Sequence, residues 1–267
     1  QMKYKLLALD IDGTLTNSEK KITPKTKEAL EQIQRAGVKV ILASGRPLAG
    51  LIGIAEELKL KEYGGYLLCF NGGRIVDYRT QEAICDFTLP QEQLGKLADL
   101  AKEYNVALMS YEGDDVITES PEDPYIQYEA RINGLGLRKI ENFREYVTFP
   151  VNKCLMMADG DYLGEVEPKI AGRMPEMMMY RSEPFFLEVV PRGVDKASSL
   201  DLMLKRLGYS REELACCGDG FNDLSMIRFA GFGVAMANAQ APVKEAADFV
   251  TRSNDEDGIA YMIENFF

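Results

Sequence analysis

Between residues 5 and 70 short apolar runs alternate with helix-patterned segments, and no other feature of the chain restricts its fold as strongly. Residues 5–10, 38–43 and 66–70 each read as a strand buried on both faces. After the first of them, Thr23 suits a helix N-cap and Pro24 the first helical position. Ala29, Leu30, Ile33 and Ala36 then share one face, and Gly37 ends the helix. Residues 47–58 read as a second helix. Parallel neighbours need a crossover, and crossover helices cover the sheet, so this order predicts a parallel sheet with helices on its faces.

The pattern then changes. Residues 74–77 and 83–88 read as a hairpin, and beyond it strand pairs alternate with single helices. Helical segments are expected at 90–104, 125–133 and 162–174, and strands at 106–111, 116–119, 152–158, 177–181 and 185–190. This predicts an α+β unit inserted into the first. From Asp195 the earlier rhythm returns, with a helix to Leu207, a strand at 214–217, a helix from about Asn222 to Phe229, short strands at 232–236 and 249–251, and a closing helix from Gly258. The expected division is a discontinuous core, residues 2–84 and 187–267, with residues 85–186 as the insert. The methionines at 156, 157, 174, 177, 178 and 179 are expected to pack in strands and core.

Composition narrows the chemistry. The 267 residues include no histidine, which excludes a Ser-His-Asp triad, a Cys-His dyad and an H-E-x-x-H zinc site. Acid–base work then falls to carboxylates, lysine, tyrosine or a metal-bound water. A formal net charge of −11 argues against broad contact with nucleic acid. No apolar run reaches the ~20 residues that cross a bilayer. With the first strand beginning so early, no signal peptide is expected. Five cysteines (Cys69, Cys85, Cys154, Cys216, Cys217) without C-x-x-C spacing read as buried, reduced thiols of a cytoplasmic protein. No membrane, nucleic-acid or protein partner is expected. An acidic chain that binds an anion needs a local positive site built from a metal, a lysine or helix N-termini.

Four segments supply such a site. Asp10-Ile11-Asp12-Gly13-Thr14 follows the first strand, and in an extended segment residues i and i+2 point the same way, so both carboxylates can face one pocket. Two close carboxylates repel unless a cation holds them or one is protonated. Ser44-Gly45-Arg46 follows the second strand with a hydroxyl able to donate to a phosphoryl oxygen. Lys196 stands at a helix start, where a cation is poorly placed unless an anion is near. Gly218-Asp219-Gly220-Phe221-Asn222-Asp223 follows a later strand with the hard oxygen donors that Mg²⁺ prefers. Each segment begins where a parallel strand ends, which is where open α/β sheets bind ligands.

In this order the segments resemble the motifs of the haloacid dehalogenase (HAD) superfamily: D-x-D-x-[TV], a Ser or Thr, a Lys, and G-D-x-x-N-D. The insert, Asn71-Gly72-Gly73 and Gly233-Val234-Ala235-Met236-Ala237-Asn238-Ala239 are similar to the Cof-type sugar phosphatases of that superfamily. Gly73 departs from a frequent alanine. The resemblance implies a Rossmann-like core with a substrate-selecting α+β cap, and a Mg²⁺-dependent phosphatase acting on a small phosphorylated metabolite. It implies Asp10 as nucleophile, Asp12 as acid and base, and Lys196 as catalytic cation. Metal ligation falls to Asp10, Asp12 (through its carbonyl), Asp219 and Asp223, and substrate binding to Thr14, Ser44, Gly45, Arg46, Asn71, Gly72, Lys196 and Asn222. A phosphomutase and a catalytically silent phosphometabolite-binding protein are the alternatives.

Overall fold

A computed structural model describes residues 2–267. The chain divides into two compact units, one running through Cys85 and resuming at Asp195–Phe267, the other Asp86–Val194. In chain order the strands are β1 (Leu6–Leu9), β2 (Lys39–Ala43), β3 (Gly65–Cys69), β4 (Arg74–Asp77), β5 (Ala83–Asp86), β6 (Ala107–Glu112) and β7 (Asp115–Thr118). After these come β8 (Gly136–Lys139), β9 (Cys154–Met157), β10 (Met177–Glu183), β11 (Phe186–Pro191), β12 (Leu214–Gly218), β13 (Phe232–Ala235) and β14 (Phe249–Val250).

The first unit is a Rossmann-like α/β core. Its sheet has the order β14-β13-β12-β1-β2-β3-β4-β5, and every neighbouring pair from β14 to β3 is parallel. Leu6, Leu7, Ala8 and Leu9 are buried without alternation, as are Val40 to Ala43 and Leu214 to Cys217, because helices cover both faces. The sheet is not parallel throughout: β4 turns back antiparallel on β3 and, with β5, extends the edge. The helix Pro24–Arg35 starts as its sequence predicts, with Thr23 Oγ1 accepting from Thr26 N at 3.2 Å. Residues 47–58 split into a 3₁₀ turn, Leu48–Leu51, and an α-helix, Ile52–Glu57.

The second unit is the inserted α+β cap. Its sheet, of order β10-β11-β9-β6-β7-β8, is antiparallel except where β7 pairs with β8. The helices Leu94–Glu103, Phe143–Tyr146 and Gly160–Ala171 share a core with Cys154, Met156, Leu187 and Val189, which therefore mark one face. The helix Pro124–Ile132 lies on the other, setting Ile126 and Ala130 against Met109, Leu155 and Phe186. The sequence boundary at 186/187 falls inside β11, whose residues 187–191 pair with β9 and β10. The change of unit comes instead between Val194 and Asp195. Met156, Met157, Met174 and Met177 are buried, with Met178 and Met179 half-buried. All five cysteines are free, buried and on strands. No helix among the described residues is long and apolar enough to cross a membrane.

Candidate active site

The parallel trio β12-β1-β2 delivers three motif segments to one end of the core sheet. Asp10 follows β1 directly, its N–H donating to the Cys217 carbonyl at 3.1 Å. The chain then closes into a tight turn, Ile11–Leu15, with Gly13 at φ +82°. A Cβ at Gly13 would lie 2.2 Å from Asp219 Oδ2, so both the backbone angle and the close approach call for glycine. Thr14 Oγ1 donates to Asp219 Oδ1 at 2.9 Å, making it a holder of that carboxylate. The turn is pinned from outside by Asn238, whose Nδ2 donates to the Gly13 carbonyl at 2.8 Å. Sequence reasoning singled out the segment around Asn238 but gave it no role, because its partner is 225 residues away.

Lys196 is the first residue of the helix Lys196–Leu207. Asp195 caps that helix by accepting from Ser198 N at 2.7 Å, while the Asp195 N–H donates to Ser198 Oγ. Its ammonium is fully buried and donates to Asp223 Oδ1 at 2.6 Å, Ala43 O at 2.9 Å and Asp10 Oδ1 at 3.2 Å, which uses all its hydrogens. Burial opposes the charge, but Asp10 and Asp223 outweigh it and raise the Lys196 pKa. The second oxygen of Asp223 accepts from Asp219 N and Gly220 N, both at 3.0 Å. Asp223 therefore orients Lys196 and shapes the loop that carries Asp219.

Asp10, Asp219 and Asp223 each offer a carboxylate oxygen, and these atoms lie within 4.8 Å of one another. Burial pushes the Asp10 carboxyl up, Asp223 adds to this, and Lys196 only partly offsets them. Burial likewise raises Asp219, although its hydrogen bonds from Asp10 and Thr14 pull the other way. Hard oxygen donors whose repulsion one lysine does not cancel fit a divalent cation. With both Asp223 oxygens engaged, Asp10 and Asp219 are the better-placed donors.

Asp12 faces away from this cluster. Its carboxylate is held by Arg46, through Nη2 at 2.8 and 3.0 Å and Nε at 3.3 Å, and by Lys20 at 3.2 Å. Partial burial acts to raise its pKa, but Arg46 and Lys20 prevail and hold it below the usual carboxylate range. Arg46, expected on the substrate, here spans Asp12 and the Gly50 carbonyl. Lys20 carried no sequence signal beyond being one more exposed lysine. Ser44 is buried, and its Oγ accepts from Arg46 N at 3.0 Å, which leaves its own hydrogen to donate. Gly45 packs against the Asn71 amide: a Cβ there would lie 3.1 Å from Nδ2.

Phe70 and Asn71, at φ +54° and +56°, form a left-handed corner after β3. Asn71 N donates to Ser44 O at 2.9 Å, Phe70 N to Arg46 O at 3.0 Å, and Asn222 Nδ2 to Asn71 Oδ1 at 3.0 Å. A Cβ on Gly72 would meet Asp195 O at 2.3 Å. The corner thus ties together the loops of Ser44, Lys196 and Asn222, at a strain cost of about 1–2 kcal/mol for each non-glycine residue.

The family model for haloacid dehalogenase-like hydrolases matches residues 7–263. The chain belongs to that family. Within the HAD family it is similar to YxeH of Bacillus subtilis, with 34% identity over 264 residues and 97% of each chain covered. Among solved structures it resembles a haloacid dehalogenase-like hydrolase from Bacteroides thetaiotaomicron, at 46% identity and a TM-score of 0.95, over 99% of this chain and all of the other. It also resembles the HAD subclass IIB sugar phosphatase BT4131, at 30% identity and a TM-score of 0.81, with 98% of each covered. The protein is a HAD hydrolase with a cap, and the phosphoryl-transfer chemistry of that superfamily is the frame for its acidic cluster.

Proposed function

We propose that this HAD hydrolase is a Cof-type, Mg²⁺-dependent phosphatase that hydrolyses a small phosphorylated metabolite, a sugar phosphate or similar monoester, through an aspartyl-phosphate on Asp10. One observation carries the reading: a buried carboxylate, Asp10, lies 3.2 Å from a fully buried lysine and shares an acidic cluster with Asp219. As nucleophile Asp10 has the rigid backing that in-line attack on phosphorus requires. Bound Mg²⁺, held by Asp10, Asp219 and the Asp12 carbonyl with Asp223 alongside, would neutralise charge on the transferring group. Lys196 and the Ser44 hydroxyl supply positive potential and a hydrogen bond for the equatorial oxygens. Asn222, braced by Asn71, has a second amide hydrogen for the same group. The cap, Asp86–Val194, selects the rest of the substrate.

Asp12 serves the two halves of the cycle differently. Ionised beside Arg46, it is ready to act as base for the water that opens the acyl phosphate. To protonate a leaving alkoxide it must first gain a proton, and a phosphate dianion that draws Arg46 away favours that gain.

The test is release of free phosphate, which distinguishes a phosphatase from a mutase, together with rapid-quench trapping of phosphoenzyme. Asp10→Asn should abolish turnover and trap nothing. Asp12→Asn should lose roughly 10²–10⁴-fold on alkyl phosphates and less in the first step with an aryl phosphate, so that phosphoenzyme accumulates. Covalent phosphate on the Asp10→Asn protein, or full activity in a metal-free preparation, would refute the mechanism.

A further inference from the structure

Residues 236–240 lead from β13 into the helix Ala241–Ala246, and the chemistry proposed at Asp10 gives them no part. They nevertheless bond to both loops that carry the acidic cluster. On the Asp219 side the contacts are backbone: Met236 N donates to Gly218 O at 3.0 Å and Gln240 N to Asp219 O at 3.1 Å. On the Asp10 side the contact is the side-chain amide of Asn238, which donates to the Gly13 carbonyl at 2.8 Å. Asn238 is held in turn, its Oδ1 accepting from Asn254 N at 3.0 Å. Asn254 Nδ2 donates to Thr16 O at 3.0 Å, just beyond the catalytic turn. Its neighbour Asp255 accepts from Ser18 N at 2.8 Å and from Ser18 Oγ at 2.5 Å.

The conformation of Gly13 gives this brace a purpose. The missing Cβ lets Asp219 approach, but glycine also has the freest backbone of any residue, so close approach comes with a turn that can swing. Leu15 N and Thr16 N fix the carbonyls of Asp10 and Ile11 from within the turn. The donor to Gly13 O comes instead from outside, on a segment whose own backbone holds the Asp219 loop. Peptide units are rigid planes, and the unit ahead of Gly13 contains the Asp12 carbonyl. Rotation at Gly13 therefore shifts that carbonyl against Asp219, and groups one step behind metal ligands are what set such separations.

We propose that Asn238 is a positioning residue: it holds the catalytic turn in register with the Asp219 loop, and so fixes the Asp12 carbonyl relative to the Asp219 carboxylate for cation binding. The cation part rests on the Mg²⁺-dependent reading above, whereas the brace on the turn does not.

The experiment compares the full chain with Asn238→Ala in two measurements. First, calorimetric titration with Mg²⁺ in the absence of substrate should give a Kd raised about three- to tenfold, the loss of one hydrogen bond of ordinary strength. Second, amide hydrogen exchange followed by mass spectrometry should be faster in the peptide covering residues 10–17, while peptides from β2 and β3 match the wild type. A purely structural role would instead raise exchange across the sheet and leave the Mg²⁺ Kd of the folded protein alone. Should the alanine variant fail to fold, Asn238→Ser, whose shorter side chain cannot span both partners, carries the same measurements. A Kd within twofold of wild type, or unchanged exchange at residues 10–17, overturns the role. If the wild type itself binds no Mg²⁺, the metal reading falls and the exchange decides alone: faster at residues 10–17 sustains the brace, unchanged refutes it.

Discussion

At the residue scale, Asp219 and Asp223 are both acidic, both in one loop, and opposite in effect. Asp223 is the close partner of a lysine with no solvent to turn to, at 2.6 Å, and anchors two loop amides besides. Replacing it by asparagine leaves the Lys196 charge supported mainly by Asp10. Breaking a buried pair in this way costs about 3–5 kcal/mol, so Asp223→Asn should unfold well below wild type in urea, with Mg²⁺ or without. Asp219 instead presses a second carboxylate on Asp10. Asp219→Asn should therefore stabilise the metal-free protein while removing its response to Mg²⁺. Thermal melts of both variants in EDTA and in Mg²⁺ check this pair of outcomes. If Asp219→Asn also lowers the metal-free melting temperature, the cluster is not held under repulsion.

At the scale of the element, the turn Ile11–Leu15 shows why a short motif holds so much. A strand, a reversal at a positive φ and a hydroxyl returning to Asp219 need only Asp, Gly and Thr in order, so this piece of the site was legible in the sequence. Gly13→Ala tests it. An L residue in the left-handed region costs about 1–2 kcal/mol, and its Cβ would also push Asp219 aside. The variant should retain its far-UV spectrum yet lose about 10²-fold or more in turnover, as expected of an ångström-scale misplacement. Other elements were less legible. The strand β8, Gly-Leu-Arg-Lys, is mostly exposed and has no apolar alternation, so only its pairing with β7 defines it. The hairpin strands β4 and β5 were found, but nothing local says that β4 pairs antiparallel with an otherwise parallel sheet. The end of the insert is hard to read locally for a similar reason. β11, Phe-Leu-Glu-Val-Val-Pro, is buried along its whole length, and such a run does not reveal which sheet it joins.

At the scale of the whole molecule, the acidic cluster couples stability to pH and metal. Asp10 and Asp219 have folded pKa values raised above the ordinary 3.8 by burial and by repulsion from Asp223. The folded state therefore holds their protons more tightly, and their contribution is fully present below about pH 4 and is lost as pH rises through the raised values. In EDTA the melting temperature of the wild type, compared with Asp219→Asn at each pH, should decline from about pH 4 upward. Mg²⁺ binds the deprotonated cluster, so its stabilisation should grow over the same window. Asp12 has the opposite sign: its depressed pKa adds stability above the ordinary value and loses it as pH falls. A wild-type to Asp219→Asn difference that stays flat with pH in EDTA would contradict the cluster's raised pKa values.

Local pattern along the chain is enough for the parallel core, for the presence of an α+β insert and for the residue types gathered at the sheet end. Apolar periodicity reports burial, and D-x-D-G-T and G-D-G-F-N-D report turns and hard oxygen donors, all within a few residues. What each polar group faces is set by packing between distant segments. Arg46 turned out to grip Asp12, Thr14 to hold Asp219, Asp223 to spend its oxygens on Lys196 and the loop, and Asn238 to pin Gly13. Apart from Asp223 and its own loop amides, these partners lie 27 to 225 residues apart, with electrostatic strength set by burial rather than residue type. Local pattern carries no record of either.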